Sequence, residues 1–148
     1  MIDQSVAIFG PLDRVVGPYA GYVVLAFAVL TFLTRKLQHD HVVEQAASAD
    51  DVEQASRHPV HSVALGGFVV TSFYYLTLHH HSGIVMATLA VGVFLTDFFE
   101  IEARSVEIRE GHDLERPKAA MVAGVIALLY ASYITLFVFV KDYWNMVV

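Results

Sequence analysis

Apolar residues in this chain are gathered into four long, nearly uninterrupted blocks and do not recur at the spacing of a helix with one wet face. The first block runs from Val15 to Thr34 and stops at Arg35-Lys36. The second opens at His58-Pro59, where proline suits the first turn of a helix, and continues to about Leu78 before Ser82-Gly83 breaks the chain. The third, Ile84 to Thr96, is short and has to draw on Phe98, Phe99 and Ile101, or start within the histidines, to complete a crossing. The fourth, Ala119 to Val140, ends at Lys141-Asp142. A helix needs about 20 apolar residues to cross roughly 30 Å of hydrocarbon. The pattern therefore predicts spans over about 15–34, 60–79, 83–101 and 119–140, joined by loops of about 35–58 and 102–118.

The expected fold class is all-α: a polytopic membrane protein built as one antiparallel four-transmembrane-helix bundle over 1–148. The third helix should continue through DFFEIEARSVEIRE, where Glu100 and Arg104 form an i,i+4 pair of the favourable order, and GHDLERPK should end it and begin the next. The first block has no basic cluster ahead of it and no small-residue cleavage pattern, so it is expected to be a retained span and not a signal peptide.

Composition strengthens this picture: 56% of the residues are hydrophobic, and the mean hydropathy is +0.55. The absence of cysteine excludes disulfides, thiolate metal sites, iron-sulfur clusters and cysteine nucleophiles. Fifteen acidic residues against nine basic ones give a formal charge of -6, an exterior unsuited to nucleic acid. Such an acidic, lysine-poor surface suits concentrated salt.

Charge also sets an orientation. Arg35, Lys36, Arg57, Arg104, Arg109, Arg116 and Lys118 fall on one side, against Arg14 and Lys141 on the other, so the two longer loops are expected to be cytoplasmic and both termini outside. Tyr19, Tyr22, Tyr74, Tyr75, Tyr143 and Trp144 all gather near the outer interface, where amphipathic rings are favoured.

In lipid, helices associate where small residues let backbones approach. Gly17 and Gly21, Ser62 and Gly66, the Thr88-Gly92-Thr96 row and the Ala123-Ala127-Ala131 row give every span such a candidate face. Whether a row meets a sister helix, a second copy or another subunit is left open by the sequence.

The candidate chemistry lies in eight histidines. His79, His80 and His81 sit in the outer turn; successive residues on a helix point about 100° apart and do not converge on one ion. An interfacial triplet bonded to water, headgroups or turn carbonyls is the favoured reading, and a metal group the alternative. His58 and His61 share a face at the start of the second span, and Asp97 and Glu100 share one at the inner end of the third. Antiparallel neighbours would bring these four to similar depth, where they would bind a divalent metal or relay protons; the plainer reading is a satisfied polar collar. No cofactor is expected beyond that metal. A membrane diiron hydroxylase is excluded by missing HxxxH and HxxHH spacings, and haem by the lack of histidines inside spans one, three and four. No nucleophile elbow or phosphate loop occurs, and the Gly66-Gly67-Phe68 stretch is a packing feature.

Through LTLHHHSGIV, DFFEIEAR and LERPK, most of the chain resembles an uncharacterised family of small four-span membrane proteins from haloarchaea. That resemblance implies a halophilic archaeal plasma membrane and carries no catalytic residues. The functional expectation is a non-enzymatic accessory subunit that packs, among membrane lipids, into a larger membrane complex of the respiratory or transport kind. The alternatives are a proton or divalent-metal conduit built on the His/carboxylate cluster, for which Thr71, Ser72, Thr77, Thr88, Thr96, Tyr130, Ser132 and Tyr133 offer only a sparse path, and a self-assembling membrane oligomer.

Overall fold

A computed structural model describes residues 9–48 and 54–148. A short helix, α1 (Pro11–Val15), leads through a single 3-10 turn at Gly17–Tyr19 into four long helices: α2 (Ala20–Ser48), α3 (Pro59–Leu78), α4 (His80–Glu110) and α5 (Lys118–Val147). Each of the four is long and apolar enough to cross a membrane, the arrangement of a multi-pass membrane protein.

The four helices close a ring in which α2 packs on α3, α3 on α4, α4 on α5, and α5 back on α2. Contacts fix the directions as antiparallel. Thr34, where the apolar part of α2 ends, meets His61 at the start of α3, and Thr135 late in α5 donates to the Gly21 carbonyl at the start of α2 over 3.0 Å. Between α3 and α4 the connection shrinks to His79, whose extended backbone (φ -133, ψ 90) interrupts two otherwise continuous helices.

Local sequence explains the helix ends. Pro59 stands in the first turn of α3 and the His58 ring accepts from the Val60 N–H, filling a donor the helix leaves open. Gly111 ends α4 in the left-handed conformation at φ 70, which a side chain would strain. The expected stop of the first span at Arg35-Lys36 does not end the helix. Polar residues end insertion into lipid, but Arg, Lys and Gln are good helix formers, so α2 runs on to Ser48. Residues 49–53 of the expected loop lie outside the described residues. Beyond the apolar slab, α2 and α4 both continue as a polar stem. A strap over 54–58 is tied between them by Ala55 N–H to Ser105 Oγ at 2.9 Å, Gln38 Nε2 to the Ser56 carbonyl at 3.1 Å, and His58 N–H to Gln38 Oε1 at 2.6 Å.

Val24, Leu65, Phe68, Met86, Ala90 and Val93 form the centre, with Ala127 and Ala131 of α5 against them. The outward faces are large and apolar: Leu30, Leu33, Val63, Val70, Phe99, Leu129 and Phe137 are all exposed, a surface that only lipid or another membrane protein satisfies.

The predicted contact rows are not all where the bundle closes. Ala127 and Ala131 are buried, Ala123 lies against the core, and Gly21 faces Thr135. Gly17 is buried in the 3-10 turn, whereas Ser62 is half-buried, and an added methyl at Gly66 or at Gly92 would meet nothing within 4 Å. Thr88 is exposed and, like Thr96, turns its hydroxyl back to its own helix. On α4 the buried small residues are instead Gly83, Ala87 and Ala90, and on α3 it is Gly67 that lies against the Phe27 ring. Rows one residue apart point about 100° apart on a helix; the neighbour, absent from local spacing, decides which row is covered.

Candidate functional site

At the end of the slab where α2 and α4 emerge as the stem, a cluster of charged side chains is buried. Asp97 of α4 is its hub: Oδ1 accepts from Arg35 Nη1 of α2 at 3.2 Å and lies 2.9 Å from His61 Nε2 of α3, while Arg57 Nη2 from the strap stands 3.5 Å from Oδ2. On its other side, His61 Nδ1 lies 2.9 Å from the Thr34 hydroxyl, which is also 2.7 Å from the Leu30 carbonyl. His61 is fully buried, and Asp97 and Arg35 are 2% and 5% exposed, so these groups interact largely away from water, where a charge needs its partner most. The Arg57 guanidinium also lies over the Phe94 ring, 5.7 Å from its centroid.

Among the described residues, one carboxylate thus faces two guanidinium groups, with Glu100 bordering the same space. Nε and Nη2 of Arg35 have no hydrogen-bond partner among the described residues, and Asp97 Oδ2 has only the longer ion pair there. A small cavity of about 20 Å³ touches Arg35, Asp97, Glu100 and Arg104. A wider one of about 510 Å³ opens between α2 and the start of α5, with Arg35 in its wall.

Of the four residues expected to form a metal or proton group here, the structure brings together His61 and Asp97 and takes the other two elsewhere. His58 caps α3 and sets its ring edge-on to His41 at 5.4 Å. Glu100 pairs with Arg104 at 3.5 Å, and Arg104 in turn holds Glu107 at 3.1 Å and donates to the Glu115 carbonyl, pinning the α4–α5 connection. Two guanidinium groups stand on the one carboxylate that the described residues place at the hub, and they oppose a divalent cation by charge. Among the described residues, no group of three or more His, Asp or Glu gathers to hold a metal.

The triplet is at the opposite end. His79 lies against the Tyr75 ring at 4.6 Å, and His80 and His81 open α4, their rings 5.7 Å apart; all three are exposed. Near this end Asp13 of α1 is buried, accepting from Tyr74 Oη at 2.9 Å and the Phe9 N–H at 3.1 Å. Between the two ends lies the apolar layer of Val24, Leu65, Phe68, Met86 and Val93, each 1% exposed or less.

Sequence spacing missed Arg35, Arg57 and Thr34 as members of the cluster, and Asp13 as a buried anchor. For Arg35 the available signal was a charge directly following an apolar run, which the flanking rule assigns to the interface and not to the interior. A family model described as "Domain of unknown function (DUF7313)" matches residues 4–148. Neither the curated proteins nor the solved structures contain a match.

Proposed function

The chain belongs to the DUF7313 family, and from that premise we propose that it is a non-enzymatic membrane subunit whose bundle packs into a larger membrane assembly, of the respiratory or transport kind. The observation that carries this reading is the uncovered state of α5. Only 17% of its span is buried, against 28 to 33% of the other three, although it has the highest mean hydropathy of the four, 2.2. Val122, Ile126, Leu129, Tyr133, Leu136 and Phe137 turn outward along it, presenting a continuous ridge to a neighbouring membrane helix.

The polar cluster supports a scaffold over a conduit. Asp97 is engaged by Arg35, Arg57 and His61, which ties three helices together, and the packed layer from Val24 to Met86 separates that end from the triplet. Purification from native membranes in mild detergent tests the reading. The expected result is a protein mass well above 16.4 kDa once the bound detergent is subtracted, with other chains in fixed proportion. Self-association alone would make it an oligomer-forming protein instead, and a monomer across several detergents overturns the proposal.

The same reading places the stem end in the cytoplasm of a haloarchaeal cell, with both termini outside the plasma membrane. Its support is the excess of Arg and Lys at that end and the acidic, lysine-poor composition. Because the chain has no cysteine, single replacements report sidedness directly. His112→Cys is expected to resist a membrane-impermeant maleimide in intact cells and to react after lysis, whereas His81→Cys reacts in both. The reverse pattern inverts the orientation.

A further inference from the structure

We infer that the cavity between α2 and the start of α5 binds the phosphate of an anionic phospholipid. Its wall carries Arg35, Lys36 and Arg116, with Asp40 as the acid at the rim. Arg35, 5% exposed, borders this space, and among the described residues its Nε and Nη2 have no hydrogen-bond partner. Its charge adds to that of the exposed Lys36 and Arg116, and a guanidinium such as that of Arg116 is suited to phosphate oxygens, two at a time. The first turn of α5 adds to it: Pro117 at its N-cap provides no side-chain acceptor, so the partial positive charge of the helix end stays open toward the same cavity.

Order along the bundle axis selects a lipid over a free ion. On the slab side the cavity is lined by Phe32 of α2 and Met121 of α5, and on the stem side by His39 and Arg116. Phe32 also approaches the Gly124 position, its ring carbon 3.6 Å from an added Cβ, closing the helix pair below. An apolar floor beneath a basic rim is the polarity of a phospholipid standing in its leaflet: acyl chain toward Phe32 and Met121, headgroup at Lys36 and Arg116. Basic pockets between spans at the cytoplasmic side hold anionic headgroups in this manner. The volume of about 510 Å³ accommodates a headgroup with the first carbons of its chains.

This inference rests on the membrane placement and not on any protein partner, so it is tested on the isolated full-length chain. Purified protein is placed in nanodiscs of phosphatidylcholine alone or doped with phosphatidylglycerol, and retained lipid is counted by native mass spectrometry; thermal melting is followed with and without inorganic phosphate. Wild type is expected to retain phosphatidylglycerol in preference to phosphatidylcholine. Lys36→Gln and Arg116→Gln, both exposed and outside the Asp97 cluster, each weaken that retention about fivefold. Lys141→Gln at the other end leaves it unchanged. Equal retention of the two lipids, or full retention in both variants, overturns the proposal. So does stabilisation by inorganic phosphate that phosphatidylglycerol does not exceed, which identifies a free-phosphate site.

Discussion

Asp97→Asn is expected to lower the stability of the detergent-solubilised protein by about 3–5 kcal/mol, the range for removing one member of a buried ion pair. The change is nearly isosteric, so the loss reports charge and not a cavity. In the wild type the carboxylate accepts from Arg35 and His61 and balances Arg57. With an amide there, two guanidinium groups at the end of the slab face each other without an anion, and Arg35, only 5% exposed, has little water to turn to. Arg35→Met alone should cost less, because His61 and Arg57 still engage the carboxylate. Combining Arg35→Met with Asp97→Leu should recover a large share of either single loss, because replacing a whole buried pair by apolar groups is tolerated far better than halving it. Chemical or thermal unfolding of the three variants in one detergent measures the set. A loss below about 1 kcal/mol for Asp97→Asn, within the range of an exposed pair, would show that the cluster is not what joins α2, α3 and α4.

Gly83→Ala is the second large expectation, at about 1–3 kcal/mol from overpacking. Gly83 lies in the first turn of α4, directly over α3, where an added Cβ would overlap the backbone of Leu76 and press on its Cβ at 3.1 Å. A side chain gives way by changing rotamer; a helix backbone does not, so the α3–α4 hairpin must open at its tightest point. Gly67, by contrast, faces the Phe27 ring, which is able to swing. Gly66→Ala is the control: nothing lies within 4 Å of that position, and losing a helical glycine should leave stability unchanged or raise it by about 0.5–1 kcal/mol. Equal destabilisation by Gly83→Ala and Gly66→Ala would assign the effect to helix propensity or lipid contact and not to the hairpin.

The four spans were legible because the length of an apolar block is a local property, and hydrocarbon thickness converts length into fold almost without reference to tertiary structure. The interior contacts were legible only in part. On α5 the alanine row is the buried one, but on α4 two small-residue rows compete, and which is covered depends on where α3 and α5 lie. The histidine pair shows the same limit. His58 and His61 share a helical face only if both are helical; His58 is the cap, extended at φ -67 and ψ 130, and its ring turns back to Val60. Arg35 reads as a flanking charge until Asp97, distant in sequence, is placed beside it.

The uneven height of the helices has a consequence for the bilayer itself. At the triplet end, α3 and α4 turn at His79, and Tyr130 Oη donates to the Ser82 carbonyl at that level. From Thr135, held to Gly21, α5 climbs on to Val147, about 18 Å at the usual rise per residue, and its first turn beyond that point, Leu136 to Val140, is wholly hydrophobic. The greasy belt around the molecule is therefore taller on one flank than on the other. Surrounding lipids have to slope, thinner beside the imidazoles and thicker beside α5, and such a tilted collar favours neighbours with a matching step.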